Sequence, residues 1–359
     1  MTPTPQQTDH HITLEQVKNY YGEVLKQKED LQTNACCDID AMPRHLAEII
    51  AQIDDEILEK FYGCGSPIPP AVEGCTVLDL GCGSGRDCYV ISKLVGPSGR
   101  VIGVDMTDGQ LAVARKHIDG QMQKFGFAQP NIEFKQGYIE DLAAAGIADN
   151  SVDVVVSNCV INLSPDKQRV FSEIFRVLKP GGELFFSDVF TDRRVPTHLQ
   201  NDEVLRGECL GGALYIEDFR RMLRDLGCLD YRVLTSRRLT LESPEVEAKT
   251  GNIQFHSMTV RAFKLPDSIE DICEDYGQVA TYQGGIANSE HAFTLDDHHV
   301  FEKGRPMLVC GNTAAMVQET RFGKYFQVSG DRSTHFGAFP CGDDSGSSAA
   351  PDAAPGGCC

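Results

Sequence analysis

Four cysteines, Cys36, Cys64, Cys159 and Cys209, stand in four separate settings along the chain. One glycine-rich loop, Asp79-Leu80-Gly81-Cys82-Gly83-Ser84-Gly85-Arg86, lies between the second and third of them. Thiolate sulfur is a preferred protein ligand for soft metals and metalloids. A loop of closely spaced glycines lets the backbone approach a nucleotide-like molecule, because no Cβ stands in the way. Taken singly, each cysteine reads as a small packing residue, as Cys82 and Cys88 do, since free cysteine is among the most buried residue types. Their company changes that reading. Cys64 is flanked by Gly63 and Gly65, Cys159 follows Ser157-Asn158, and Cys209 sits in Gly207-Glu208-Cys209-Leu210-Gly211-Gly212-Ala213. Thiols on freed backbone beside a bound small molecule point to chemistry on a soft atom.

The elements that carry these loops are legible from periodicity. From Thr76 onward, short β-branched runs at 76–80, 100–104, 131–136, 152–157 and 183–187 alternate with helical stretches. This is the pattern of an α/β fold, a Rossmann-like parallel sheet with helices on both faces. Ser164-Pro165 reads as a helix start, Lys179-Pro180-Gly181-Gly182 as a stop, and 216–227 as a further amphipathic helix. Two N-terminal helices, expected over 14–28 and 44–61, each hand over to a cysteine-bearing turn. Beyond Tyr231 the helical alternation gives way to strand-like stretches at 232–241, 253–265, 279–283 and 306–310. The expected organisation is a helical arm over 1–72 carrying Cys36 and Cys64, and a nucleotide-type domain over 73–230. A smaller sheet-rich α+β domain over 231–300 that completes the thiol site, a short segment over 301–330 and a disordered Gly/Ser/Ala/Pro-rich tail over 331–359 follow.

The glycines at 81, 83 and 85 depart from the GxGxxG spacing that seats a pyrophosphate on a helix terminus. S-adenosylmethionine, which has no pyrophosphate, fits the loop better than a nicotinamide dinucleotide, the alternative. Asp79 at the first strand end can meet its ammonium. Asp105, with Met106 beside it, ends the second strand, where an acid commonly accepts ribose hydroxyls. Ile139 and Glu140 follow the third strand, placing an apolar side chain against the adenine and an acid near its amino group. By the same crevice rule Asn158 and Cys159, at the end of the fourth strand, emerge beside the donor.

Composition bounds the partners. The chain has 359 residues, 41% of them hydrophobic, and a formal charge of -19, which would repel phosphate backbones and excludes nucleic acid as a natural substrate. No run approaches membrane-spanning length and the first residues lack a signal-peptide pattern, so a cytoplasmic protein is expected, a monomer with no coiled-coil pattern. In a reducing compartment the fourteen cysteines should mostly remain thiols. No CxxC pair meets a matching second pair, which argues against a zinc ribbon.

The strings Leu31-Gln32-Thr33-Asn34-Ala35-Cys36, Phe61-Tyr62-Gly63-Cys64-Gly65, Asp79 to Val90, Ser157-Asn158-Cys159-Val160-Ile161-Asn162-Leu163 and Gly207 to Tyr215 together resemble the arsenite S-adenosylmethionine methyltransferases, over about residues 14–328. The cysteine strings carry the resemblance, because the glycine loop is common to all class I methyltransferases. It implies that Cys36, Cys64, Cys159 and Cys209 are the functional thiols, the last two indispensable in both early methylation steps. It also implies that Tyr62 lies near the methyl group, that Gly81, Gly83, Gly85, Arg86 and Asn158 belong to the donor site, and that thioredoxin or glutathione restores the thiols. On this reading Cys64, Cys159 and Cys209 hold arsenic(III), and Cys36 assists capture and then pairs with Cys64. Phe61 stands where the family more usually has tyrosine, and the double Cys36-Cys37 leaves two candidates for one role. The chemistry needs no general base: arsenic bound to thiolates keeps a lone pair, and aligning it with the methyl replaces a bimolecular encounter. A class I methyltransferase of a small organic molecule and a non-catalytic metalloid-binding protein are the alternatives. Cys75, Cys228, Cys273, Cys310 and Cys341 receive no role, Cys358-Cys359 read as a solvated end, and His298-His299 as a solvated loop.

Overall fold

The computed structural model describes residues 42–61, 67–202, 205, 209–241 and 243–340. The expected first helix, Cys36, Cys37, Tyr62, Cys64, Cys341 and Cys358-Cys359 lie outside the described residues.

Strands β1 (Thr76–Leu80) and β4 (Val152–Asn158) are short apolar runs, the composition that suits strands covered on both faces. They pair in parallel, with Leu80 opposite Ser157. β2 (Arg100–Asp105) and β3 (Ile132–Gln136) extend the sheet on one side, and β5 (Leu178–Thr191) on the other, all parallel. The two-residue β6 (Leu214–Tyr215) runs parallel to the end of β5. β7 (Tyr231–Arg238) and β8 (Phe255–Phe263) close the far edge antiparallel, giving the order β3-β2-β1-β4-β5-β8-β7. Alternate residues of one strand feed different cores. Leu78, Leu80 and Val155 pack with the helices Lys167–Val177 and Ile216–Asp225. Val77, Val154 and Val156 pack with Arg86–Val95, Asp108–Lys116 and Ile118–Phe125. The chain leaves β1 toward β2 on one side, whereas β4 lies on the other. The carboxyl ends of β1 and β4 therefore part into a crevice at the topological switch point.

A second core is built by β10 (Gln278–Tyr282) between β13 (Pro306–Val309) and β14 (Phe326–Ser329), the hairpin β11 (Ala292–Thr294) with β12 (Val300–Glu302), and the helix Gly311–Gln318. Phe293, Phe301, Phe322 and Phe326 fill it. Arg321 joins it to the main sheet through an ion pair with Glu183 of β5, which also pairs at 2.8 Å with Arg261 of the neighbouring β8. Glu183 and Arg261 are fully buried. Charges so placed tolerate desolvation only while paired, which fixes how the two units meet.

Five expectations need correction. The boundary at 230 falls inside the main sheet, since β7 and β8 belong to it, and the boundary at 300 cuts through the second core. Residues 331–340 are not a loose tail: β15 (Gly337–Ala338) pairs antiparallel with β9 (Glu274–Asp275). The helix expected over 44–61 is two, Arg44–Ile50 and Asp55–Glu59, because Asp54 caps the second by accepting from Glu56 N. His299 is buried, with Nδ1 2.8 Å from Asp296 Oδ1, rather than on a solvated loop.

Candidate active site

The loop after β1 turns on glycines with left-handed backbone. A Cβ on Gly81 (φ +68°) would stand 2.4 Å from Val160, while one on Gly83 (φ +52°) would meet nothing within 4 Å, leaving an open cradle. Asp105 ends β2 and holds this cradle: its carboxylate accepts from Gly83 N at 2.9 Å and Thr107 N at 2.8 Å. Asp79 is buried against the same cleft and accepts from the Cys88 thiol at 3.1 Å. Among the described residues no salt bridge joins Asp79. Burial first, then the nearby charge of Asp87, holds its carboxyl well above the usual carboxylate range. Burial raises Asp105 as well. Gln110, on the same wall, has a buried Oε1 with no hydrogen-bond partner. Ile139 and Glu140 close the far end, where Glu140 Oε1 accepts from Ser164 Oγ at 2.5 Å. Acids short of a cation, an orphan acceptor and an apolar slot in one cleft of about 1030 Å³, its mouth included, fit S-adenosylmethionine.

The thiol side starts where β4 ends. Cys159 has φ +56° and Cys209 φ +63°. The left-handed conformation costs a side-chain-bearing residue about 1–2 kcal/mol, and such strain clusters at functional sites. The Cys209 thiol donates to Cys159 O at 3.1 Å. The two sulfurs and a carboxylate oxygen of Asp188 all lie within 4.8 Å of one another, and all three residues are buried. Cys159 lines the donor cleft. It is disulfide-bonded in this structure, whereas Cys209 is a thiol.

Asp188, within β5, accepts from Val189 N at 2.8 Å and from Asn162 N and Nδ2 at 3.1 and 2.7 Å. Burial pushes its carboxyl up to about 7. Through Asn162 it braces the turn that follows Cys159. The Cys209 loop packs onto the same turn at Gly212, where a Cβ would stand 1.9 Å from Asn162 O. Gly212→Ala will therefore push the two cysteine loops apart. The expected cost is about 1–3 kcal/mol of stability, seen as a lower thermal midpoint, with donor affinity unchanged by titration calorimetry.

Asp79, Gly81, Gly83, Asp105, Met106, Ile139, Glu140, Asn158 and Cys159 thus line one cleft. Gly85 and Arg86 do not. A Cβ on Gly85 would stand 2.8 Å from the Phe134 ring. Arg86 is committed to Asp87 at 2.6 Å and to the Phe61 face, 3.2 Å from the ring centroid. Arg86 thus holds two residues of the cleft wall, Asp87 and Phe61, rather than lining the cleft itself. Asp87, Thr107, Gln110 and Asp188 were not singled out from the sequence, and Ser164 was read only as a helix start, whereas Asp166 caps that helix. Asp87 is the hub between Arg86 and Asn158, whose Nδ2 donates to it at 3.0 Å.

Two family models match the chain, a methyltransferase domain over residues 71–227 and the arsenite methyltransferase C-terminal domain over 276–351. An arsenite methyltransferase of Aquipseudomonas alcaligenes is 54% identical over 329 residues, 91% of this chain and 94% of the relative. One of Homo sapiens is 44% identical, over 87% of this chain and 82% of the relative. The crystal structure of an arsenic(III) S-adenosylmethionine methyltransferase from Chlamydomonas reinhardtii superposes with a TM-score of 0.81 at 51% identity, covering 83% of this chain and 100% of that one. With a class I methyltransferase sheet, a donor cleft at its switch point and strained cysteines beside it, the chain belongs to the arsenite methyltransferase family.

Proposed function

We propose that this protein transfers the methyl group of S-adenosylmethionine to trivalent arsenic held by Cys159 and Cys209, with Cys64 as the third thiolate for arsenite. The observation that carries this reading is the placement of two left-handed cysteines, sulfurs and the Asp188 oxygen within 4.8 Å of one another, one of them on the wall of the donor cleft. The donor supplies an electrophilic methyl on a sulfonium. Asp79 receives its ammonium, Asp105 and Gln110 its hydroxyls, and Ile139 and Glu140 its base. Thiolate sulfur holds arsenic by soft–soft bonding and leaves the arsenic lone pair toward the cleft. Asn162 and Asp188 keep the two loops in register, so that the reactants meet at near-attack distance.

A disulfide sulfur cannot ligate arsenic, so the Cys159 disulfide supports a thiol reductant, thioredoxin or glutathione, as a partner in each cycle. Dependence on reduced thiols also supports a cytoplasmic setting. Among the described residues no helix is long and apolar enough to cross a membrane. One chain supplies both donor cleft and thiols, which supports a monomer. Incubation with arsenite, S-adenosylmethionine and a thiol, followed by speciation of arsenic over time, should show methylarsenicals before dimethylarsenicals. Unchanged arsenite, with the donor bound in a separate titration, would reject the reading.

A further inference from the structure

Outside this site one cluster of nucleophilic side chains has no part in the proposed reaction. Cys273 and Cys310 are both thiols, each 1% exposed, and meet in the C-terminal unit, where the Cys273 thiol hydrogen-bonds the Cys310 sulfur. Cys310 caps the helix Gly311–Gln318: its Sγ accepts from Thr313 N at 3.4 Å and lies 3.3 Å from Thr313 Oγ1. The buried guanidinium of Arg232, which Asp230 and Asp296 hold at 2.7 and 3.1 Å, acts on the same sulfur. Donors from a thiol, a backbone N–H and a hydroxyl, beside a fixed cation and a helix N-terminus, are the surroundings of a thiolate. The Cys273 hydrogen bond first, outweighing burial, and then Arg232 and Thr313, hold the Cys310 thiol below the ordinary thiol range. Cys228 is pushed up to about 12 by burial first and then by the charge of Asp230.

The segment 331–340 fastens to both cysteine-bearing stretches. Arg332 Nη2 donates to Gly311 O at 3.0 Å, and Phe339 N donates to Cys273 O at 2.8 Å. The segment's strand is two residues long and most of its side chains are exposed, so local opening of this segment is the route by which the pair would meet solvent. A metalloid between the sulfurs would need room that so buried a pair lacks. A disulfide adds no atoms.

We propose that Cys310 and Cys273 form a second redox site, a dithiol converted to a disulfide by exchange with a low-molecular-weight disulfide. The Cys310 thiolate attacks one sulfur of the small disulfide, the S–S bond breaks, and one small thiolate leaves. Cys273 gives its proton to that thiolate and attacks Cys310 Sγ, releasing the second small thiolate, which takes a proton from water. The protein dithiol loses two electrons and the small disulfide gains them. Oxidation removes the acceptor that caps Gly311–Gln318 and one of the anions around Arg232, so it loosens the C-terminal unit.

The full chain, equilibrated in glutathione and glutathione disulfide mixtures, trapped in acid, alkylated and peptide-mapped, tests this without reference to methyl transfer. The expected result is a Cys273–Cys310 cross-link appearing in one two-electron transition, its ratio to dithiol changing tenfold for each tenfold change in squared thiol over disulfide. Cys273→Ser should accumulate one glutathione on Cys310, and Arg332→Ala should form the cross-link at least tenfold faster than the parent chain. Absence of the cross-link at the oxidising limit, in a chain that still shows its native thermal transition, overturns the proposal. So does glutathione mapping elsewhere than Cys310 in folded Cys273→Ser. If a variant fails to fold, the parent chain's titration alone decides.

Discussion

Cys209→Ser is expected to abolish methylation of both arsenite and methylarsenite while leaving donor affinity within about twofold. Cys209 does not line the cleft, so the donor has no direct stake in it, but its sulfur lies within 4.8 Å of the Cys159 sulfur. Serine oxygen is a hard ligand and does not replace thiolate toward a soft metalloid. Without the second sulfur the arsenic is not held in line, and positioning of this kind is worth about 7–11 kcal/mol. The rate should therefore fall by about 10,000-fold or more. Cys159→Ser should do the same. Folding is expected to survive, because a serine hydroxyl at 209 can still donate to Cys159 O as the thiol does. Arsenic speciation measures the first effect, calorimetric titration with S-adenosylmethionine the second. Either activity persisting in Cys159→Ser sinks the assignment. For Cys64→Ser and Cys36→Ser the same reading expects loss of arsenite methylation with methylarsenite methylation kept, since a methylated arsenical has one valence fewer to fill.

What the sequence revealed follows from what periodicity can encode. The parallel strands were readable because Val77-Leu78 and Val154 to Val156 are β-branched or apolar runs between turn-forming polar or glycine residues, and the crevice rule then placed Asp79, Asp105 and Cys159 together. The same alternation cannot say which sheet a strand joins. β7 and β8 therefore read as a new unit, although β8 hydrogen-bonds to β5 and β7 to β8. Cys159 and Cys209 were brought together by family resemblance and not by pattern, since cysteine has no preference for positive φ that would announce their strained backbone. Asp188 did leave a signal. An acid inside Leu184-Phe185-Phe186-Ser187-Asp188-Val189-Phe190 is an expensive thing to bury without a task. Gln110 left none, because its orphan oxygen is visible only once its neighbours are placed. Arg86 follows the loop in sequence, and only the structure shows that its side chain meets Asp87 and Phe61.

Asp79→Asn is expected to weaken S-adenosylmethionine binding at least tenfold and to remove its pH dependence. In the ligand-free protein burial and the charge of Asp87 favour the protonated Asp79 carboxyl, whereas the donor's ammonium favours the ionised one. Binding therefore releases a proton wherever the ligand-free group is protonated, and affinity rises with pH up to the raised Asp79 pKa. The sign for folding is opposite. A carboxyl whose folded pKa lies above its unfolded value contributes stability that is fully present below the unfolded pKa, about 3.9, and is lost as pH rises through the folded one. Ligand-free protein should thus lose this contribution over the same range in which the donor binds more tightly. Calorimetry in buffers of different ionisation enthalpy separates the two, since the parent chain should release up to one proton on binding and Asp79→Asn none. Asparagine keeps the size and a carbonyl acceptor, so it forfeits the charge-assisted part of the contact, about 1.5–3 kcal/mol. That range corresponds to about 10- to 150-fold in Kd. Proton release unchanged in Asp79→Asn would move the ammonium site to Asp105, the other acid on that wall whose carboxyl burial raises.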